Sequence, residues 1–148
     1  MKILEQKKVL YTFYEYNPET TDGMEVAKSL GEDPTQVFKT LVTTDSQNHF
    51  FVFVIPVSKT LDLKGVAKIV NKKSIDMIKQ KELFPLTGYI HGGCSPISMK
   101  KKFVTYFDTS INNYEEIYVS AGRVGVQIKI KVTDLIKITD GQIGNLTL

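Results

Sequence analysis

HFFVFVIPV, at residues 49–57, contains an unbroken run of six apolar side chains from Phe50 to Ile55. A run that is apolar on both faces of a strand predicts a central strand that other elements cover on each side. The stretch VFKTLVTT, at residues 37–44, is rich in β-branched residues, and the turn residues 46–48 separate it from the apolar run. The two segments therefore predict an antiparallel pair at the centre of a sheet.

Short helices and further strands are predicted on both sides of this pair. Apolar residues at helical spacing, framed by capping and stop signals, mark each helix. The predicted helices cover residues 1–10, 23–30, 63–70 and 78–84, the last ending before Pro85, with a capped turn at 33–36 and a last helical turn capped by Thr133 or Asp134. The predicted strands cover residues 11–16, 103–108, 117–122 and 124–130, and alternation along the last one indicates that it is half exposed. This pattern predicts an α/β or mixed α+β fold, with one domain over residues 1–148 around a mixed β-sheet.

Length and composition exclude several classes of protein. The chain has 148 residues, of which 42% are hydrophobic and 24% charged, the balance of a globular protein and not of a disordered or fibrous one. Cys94 is the only cysteine, and His49 and His91 are far apart, so a disulfide framework is excluded and little material remains for a metal site. No apolar run reaches the roughly 18 residues of a membrane span, and the first residues lack a signal peptide. We expect a cytoplasmic protein without metal or cofactor.

The net charge of +3 conceals an uneven distribution. Residues 59–102 carry ten lysines against three acidic residues, whereas residues 1–58 carry five lysines against eight acidic residues. A phosphate-bearing partner would favour such a basic segment, because phosphate contacts release counterions. A solvated lysine face that keeps the protein soluble is the alternative interpretation.

Lys39 is a candidate functional residue because of its position in a predicted strand. Val37, Lys39 and Leu41 point to one side of that strand, and Phe38, Thr40 and Val42 point to the other. Since neither face is polar, Lys39 is expected at an apolar wall or cleft, where its ammonium could hold a phosphate or polarise a carbonyl. A lysine whose amine reaches solvent at a strand end remains the alternative.

The loop Gly92-Gly-Cys-Ser-Pro96 offers a second possible site. Glycines allow a backbone to approach a ligand closely, and its N–H groups can then form an anion nest or an oxyanion hole; a plain tight turn is the alternative. Cys94 could be a nucleophile paired with His91, or only a small residue in that turn. The chain has no Gly-x-Ser-x-Gly elbow, P-loop or Rossmann fingerprint, so most other enzyme classes are excluded.

Five segments occur in the order and spacing of one family. They are Val37-Phe-Lys-Thr-Leu41, Pro56 to Lys68 with Leu61-Asp-Leu-Lys64, Thr87-Gly-Tyr89, Gly92-Gly-Cys-Ser-Pro96 and Ile117-Tyr-Val-Ser-Ala-Gly122. Over roughly residues 11–138 the chain resembles the YbaK/prolyl-tRNA-synthetase-associated editing domains, which are free-standing aminoacyl-tRNA deacylases. The resemblance implies a mixed sheet or partly open barrel flanked by short helices. It also implies hydrolysis of a mischarged tRNA at its 3′ acceptor end, Cys-tRNA(Pro) above all, with prolyl-tRNA synthetase as a possible partner and no membrane association.

The resemblance also implies roles for individual residues. The residues matched to catalytic positions are Lys39, Thr40 and Gly92, and those matched to substrate binding are Tyr14, Gly93, Pro96, Ser120 and Gly122. In the implied mechanism the thiol of the cysteinyl ester attacks its own carbonyl and leaves as a cyclic thiolactone. Backbone N–H groups of the Gly92 loop stabilise the oxyanion, and Lys39 anchors the terminal nucleotide or the oxyanion without acting as a base.

Three positions depart from the family pattern. Asp22 stands where many members carry an aromatic pocket residue, Gln127 stands where relatives often have aspartate, and Cys94 replaces a residue that is usually aliphatic. These departures put the substrate amino acid in question. They also motivate a second hypothesis, in which the protein is a tRNA- or synthetase-binding module that keeps the pocket without the reaction.

Overall fold

Helices and strands alternate along most of the chain. The computed structural model describes residues 2–17, 19 and 22–148. The helices are α1 (Lys2–Gln6), α2 (Gly23–Leu30), α3 (Leu63–Ile69), α4 (Gln80–Thr87) and α5 (Val132–Thr139), with a 3-10 helix over Thr109–Asn113. The strands are β1 (Tyr11–Glu15), β2 (Phe38–Thr44), β3 (Phe50–Pro56), β4 (Asp76–Met77), β5 (Val104–Asp108), β6 (Glu116–Arg123), β7 (Val126–Lys131) and β8 (Gln142–Gly144). The first helix is shorter than predicted, and Met1 lies outside the described residues.

The larger sheet has five strands in the order β4-β2-β3-β5-β8. Strands β2 and β3 are antiparallel, with Phe38 opposite Pro56 and Thr44 opposite Phe50, whereas β5 runs parallel to β3 and β8 runs parallel to β5. The structure thus confirms both the predicted pair and the mixed sheet. Strand β3 lies at the centre, and its residues 51–56 are all buried, as its apolar sequence predicts.

Two apolar clusters cover β3, one on each face. Val52 and Val54 belong to the main core, together with residues of β2, β5, β6 and β7. Phe53 and Ile55 point the other way and pack in a second cluster with Val66 of α3. Burying a side chain of this size contributes roughly 1.5–3 kcal/mol, so this strand is a main source of stability.

The smaller sheet is antiparallel, with the order β1-β7-β6. A parallel β-bridge between Val37 and Tyr118 joins its edge strand β6 to the start of β2, where the Tyr118 N–H donates to the Gln36 carbonyl at 3.1 Å. The prediction that residues 124–130 are half exposed is wrong. Strand β7 is the central strand of this sheet, so Val126, Gln127, Ile128 and Ile130 are all buried.

Capping signals predicted α2 and α3 correctly. Asp22 accepts a hydrogen bond from the Glu25 N–H at 3.3 Å, and Gly31 ends α2 in the left-handed conformation at φ 70°. Asp62 caps α3 in the same way, accepting from the Gly65 N–H at 3.0 Å. Acceptors at the first turn satisfy N–H groups that lack an intrahelical partner.

Two helix boundaries differ from the prediction. Helix α4 does not end before Pro85 but continues to Thr87 and stops at Gly88, which has φ 82°. A proline inside a helix removes one hydrogen bond, here to the Lys81 carbonyl, and its ring crowds that carbonyl, yet α4 continues and the Gly88 N–H donates to the Phe84 carbonyl at 2.8 Å. Helix α5 begins at Val132, before both predicted caps, because the Val132 side chain is buried and its N–H donates to the Glu115 carbonyl at 2.9 Å.

Candidate active site

A cavity of about 360 Å³ lies where the two sheets meet. Its wall combines residues of β2, the start of α2, the ends of β6 and β7 that face each other, helix α4 and the glycine loop. The lining residues are Val37 to Leu41, Asp22, Gly23, Val26, Val57, Leu83, His91, Gly92, Cys94, Ser120 and Gln127. Lys39, Thr40, Gly92 and Ser120, which the sequence singled out, thus share one cavity.

An open edge of β2 forms part of this wall. Hydrogen bonds along an antiparallel strand alternate between its two sides. The Val37 carbonyl accepts from Val57 on the β3 side, whereas the Gln36 and Val42 carbonyls accept from Tyr118 and Ile78 on the opposite side. By the same alternation, the N–H and carbonyl groups of Thr40 point away from β3. They face the gap between β6 and β4, on the side of the cavity.

Lys39 is a half-buried residue that lines the cavity. It is on the same side of β2 as Val37 and Leu41, which pack in two separate apolar clusters. Lys39 forms no ion pair with any described residue. Lys39 thus lines a cavity, and its place at an apolar cleft, with the ammonium directed at an oxygen of a ligand, stays a prediction.

Two buried polar atoms in the cavity wall lack a protein partner. The Thr40 hydroxyl and the Gln127 side-chain oxygen form no hydrogen bond with the described residues, and Gln127 is only 5% exposed. An unpaired buried polar group costs about 1–3 kcal/mol. Thr40 and Gln127 both belong to the lining of the cavity.

Tyr89 and Gly93 fix the shape of the glycine loop. The Tyr89 hydroxyl donates to the Ile97 carbonyl at 2.5 Å, and the Gly93 N–H donates to the Ile90 carbonyl at 2.9 Å. Gly92 has φ 83°, a conformation that other residues rarely adopt. Because Gly93 is engaged within the loop, the N–H groups of Gly92 and Cys94 are the cavity-lining donors of this loop that the described residues leave free.

The Cys94 side chain is poorly suited to act as a nucleophile. Burial raises the pKa of its thiol to about 12, although a hydrogen bond with Thr87 partly opposes the shift. No hydrogen bond joins Cys94 to His91 among the described residues, and His91 is exposed. A nucleophilic cysteine needs a lowered pKa, so the geometry favours the small-residue interpretation of this position.

The other residues proposed for substrate binding, Tyr14, Gly93, Pro96 and Gly122, are not among the described lining residues of this cavity. Tyr14 packs edge-on against Tyr118 with 5.2 Å between the ring centroids, and Gly93 is buried close to the backbone of Val124. Gly122 contacts the Tyr89 ring, and Pro96 lines a different cavity. Their part in substrate binding stays a prediction, whereas each has a visible packing role.

All three residues that depart from the family pattern, Asp22, Cys94 and Gln127, line the cavity. Asp22 is the only carboxylate among the described lining residues, and Gln127 lies opposite Tyr14 and Ser120 in the smaller sheet.

Sequence reasoning did not identify the apolar part of the wall, which Val26, Val57 and Leu83 supply together with other residues. No local signal marks these residues, because they come from three distant segments that only the tertiary fold brings together.

The described residues contain no group of three or more His, Cys, Asp or Glu side chains placed to hold a metal ion. Among the helices of the same residues, none has both the length and the apolar character to cross a membrane.

Comparison with known proteins assigns the family. The model of the aminoacyl-tRNA editing domain matches residues 17–138. The chain belongs to the aminoacyl-tRNA editing domain family. It is 42% identical over 149 residues to the Enterococcus faecalis protein named "Putative Cys-tRNA(Pro)/Cys-tRNA(Cys) deacylase EbsC", covering 99% of this chain and 91% of that protein.

Solved structures share the fold of this editing domain. A crystal structure described as a "putative trans-editing enzyme for prolyl tRNA synthetase" superimposes with a TM-score of 0.84 at 22% identity, over 93% of this chain and 87% of that one. A second, of a hypothetical protein, gives a TM-score of 0.90 at 20% identity, over 99% and 97% of the two chains. At these identities the likeness establishes the fold alone, and it confirms the predicted fold class.

Proposed function

We propose that this protein is a deacylase that hydrolyses the ester of mischarged tRNA, with Cys-tRNA(Pro) as the main substrate, and that residues 1–148 act as one editing domain in the cytoplasm. Family membership supports the reaction class. The observation that carries the proposal for this chain is the half-buried residue Lys39, whose ammonium pairs with no described residue, in a cavity that Gly92 and Cys94 also line with backbone N–H groups free of the described residues. Such a site supplies positive charge and donors to a reacting carbonyl.

The reaction proceeds by attack of the substrate on itself. The cysteinyl sulfur forms a bond to its own carbonyl carbon, the bond from that carbon to the ribose oxygen breaks, and the thiol proton ends on that oxygen. The products are a free tRNA end and a cyclic thiolactone, which water opens to the amino acid. An intramolecular attack held in the right geometry can contribute ~7–11 kcal/mol, so the protein needs neither a nucleophile nor a metal for this route.

The cavity residues have separate tasks in this reaction. The N–H groups of Gly92 and Cys94 are donors for the oxyanion that forms on the attacked carbonyl. Lys39 anchors the terminal nucleotide or stabilises the same oxyanion. Thr40 and Gln127 offer hydrogen bonds to the polar atoms of the aminoacyl group. Removing one donor to an oxyanion typically costs ~10²–10³ in rate.

The wider tRNA surface is proposed to meet the lysine-rich segment. Nine of the ten lysines between residues 59 and 102 are exposed, and Lys72 is partly buried beside Asp45. Exposed lysines can neutralise phosphates of the acceptor stem and make binding salt-dependent. Prolyl-tRNA synthetase is the partner that could deliver the mischarged tRNA.

A deacylation panel tests the proposed function. The purified protein is incubated with tRNA charged with cysteine, alanine, serine or proline, and release of the amino acid is followed over several turnovers. We expect the highest turnover with Cys-tRNA(Pro), because only cysteine carries the attacking thiol. Binding without turnover on every member of the panel would instead support the alternative of a tRNA- or synthetase-binding module.

A further inference from the structure

A second cavity lies next to the first along the glycine loop. It has a volume of about 240 Å³, and Pro96 to Met99 form part of its wall. Cys94 lines the first cavity and Pro96 lines the second. Two residues of chain span at most about 7 Å, so the two walls are close neighbours.

Lysines dominate the charge of this second cavity. Lys7, Lys101 and Lys102 line it, and its described lining includes no acidic residue. Lys102 forms an ion pair with the nearby Asp140, with 2.5 Å between the ammonium nitrogen and the carboxylate oxygen. This pair is the main reason why the pKa of the Asp140 carboxyl is lowered, and the positive charge of Lys7 lowers that pKa further. Three ammonium groups beside one carboxylate leave a positive site that favours an anion.

The rest of the wall combines apolar and aromatic side chains with three hydroxyl-bearing residues, Ser98, Thr105 and Thr139. Ile97 is fully buried, and the half-buried Met99 and Phe103 pack against the same core. An edge-on contact with Phe50, 5.9 Å between ring centroids, holds the Phe103 ring in place. A ligand that suits both parts of the wall is anionic at one end and flat or apolar at the other. An unpaired nucleotide has this chemistry, since its phosphate suits lysines and its base suits aromatic and apolar side chains.

We propose that the second cavity binds one unpaired nucleotide of the tRNA acceptor strand while the aminoacyl end of the same strand occupies the first cavity. This inference rests on the proposed function, which places the aminoacyl end of the same strand in the first cavity. Lys7 lies outside the lysine-rich segment, so charge counting along the sequence does not reveal its part in this site.

The test measures binding of uncharged tRNA(Pro) by fluorescence anisotropy over a series of salt concentrations. The variant carries Lys7→Ala and Lys101→Ala, and it leaves Lys102 in its ion pair. The control carries Lys28→Ala and Lys131→Ala, which removes the same charge from exposed positions that line neither cavity.

At low salt we expect Kd to rise about tenfold in the variant and less than twofold in the control. The slope of log K against log salt should fall by about 1.4 in the variant, since each contact to a single strand contributes about 0.7.

A second measurement separates this inference from the proposed function. Hydrolysis of the cysteinyl ester of adenosine, which carries no phosphate for the lysines of the second cavity, should proceed at the wild-type rate in the variant. Equal tRNA affinity of wild type and variant, or equal losses in variant and control, would overturn the proposal, as would slow hydrolysis of the short ester. If the wild type hydrolyses no ester at all, the proposed function fails, while the anisotropy data still decide whether the second cavity binds tRNA.

Discussion

At the scale of single residues, the cavity wall contains polar groups that the protein itself does not satisfy. Lys39 has no ion pair, and the Thr40 hydroxyl and Gln127 oxygen have no hydrogen bond, within the described residues. Such groups reduce stability, because burial removes them from water without compensation. All three residues line the same cavity.

Thr40→Val should therefore separate stability from activity. Replacing the unpaired hydroxyl by a methyl group of similar size should raise the free energy of unfolding by about 1 kcal/mol, and deacylation should become slower. Thr43 is a matched control on the same strand, because its buried hydroxyl donates to the Phe51 carbonyl at 2.9 Å. Thr43→Val should destabilise the fold by about 1 kcal/mol and keep the rate. Urea denaturation and a deacylation assay check both variants, and a destabilised Thr40→Val would contradict this account.

Cys94 should affect the stability of the protein at high pH. Burial raises the pKa of its thiol in the folded state from 9.0 to about 12, so the folded state holds this proton more tightly than the unfolded state. The stabilisation that this pKa difference gives the folded state is fully present below pH 9 and is lost as the pH rises towards 12. Cys94→Ala should therefore show a shallower fall in melting temperature over this pH window and should retain most of its deacylase activity. An inactive but folded Cys94→Ala protein would favour a cysteine nucleophile.

At the scale of elements, the junction of β6 and β7 supports the site from behind. A register shift between Ser120 and Arg123 interrupts the ladder, and Gly122 takes a φ of 96° within it. The Gly122 N–H donates to the Ser120 hydroxyl at 3.1 Å, so the shift orients a cavity-lining side chain. A bulge of this kind commonly re-aims a side chain next to an active site.

Gly122→Ala should destabilise the protein more than Gly31→Ala. Both positions have positive φ, which costs a residue with a Cβ roughly 1–2 kcal/mol. A Cβ at Gly31 would meet no atom within 4 Å, whereas a Cβ at Gly122 would lie 2.7 Å from a ring carbon of Tyr89. The crowding should add about 1–3 kcal/mol and shift the loop that Tyr89 holds. Equal losses in thermal denaturation would mean that the contact with Tyr89 has no energetic role.

The elements that the sequence predicts well are those with local signals. Asp22 and Gly31 fix both ends of α2, and the apolar run of β3 indicates its central place. The start of α5 and the short strand β8 depend on distant partners, since the Val132 N–H donates to the Glu115 carbonyl and Gln142 of β8 lies opposite Tyr106 of β5.

Within the site, Lys39 and Gly92 stand in recognisable motifs. The apolar wall around Val57 and Leu83 does not, because it forms only when the sheets come together.

At the scale of the whole molecule, the site depends on how two sheets meet. The larger sheet supplies Lys39 and Thr40, the smaller sheet supplies Ser120 and Gln127, and the β-bridge from Val37 to Tyr118 joins the two. Neither sheet alone encloses the cavity. The central claim of this account is that the cavity between the sheets binds the aminoacyl end of a tRNA beside the Lys39 ammonium.

The most direct measurement is the single-turnover rate of Cys-tRNA(Pro) deacylation by wild type, Lys39→Ala and Lys28→Ala. Lys28 is an exposed lysine outside the cavity wall and controls for the loss of one charge. We predict that Lys39→Ala lowers the rate by about 10²-fold or more, the usual cost of a lost oxyanion or anchoring contact, and that Lys28→Ala keeps it. Circular dichroism should show all three proteins folded. A folded Lys39→Ala protein that deacylates Cys-tRNA(Pro) as fast as wild type would contradict the claim.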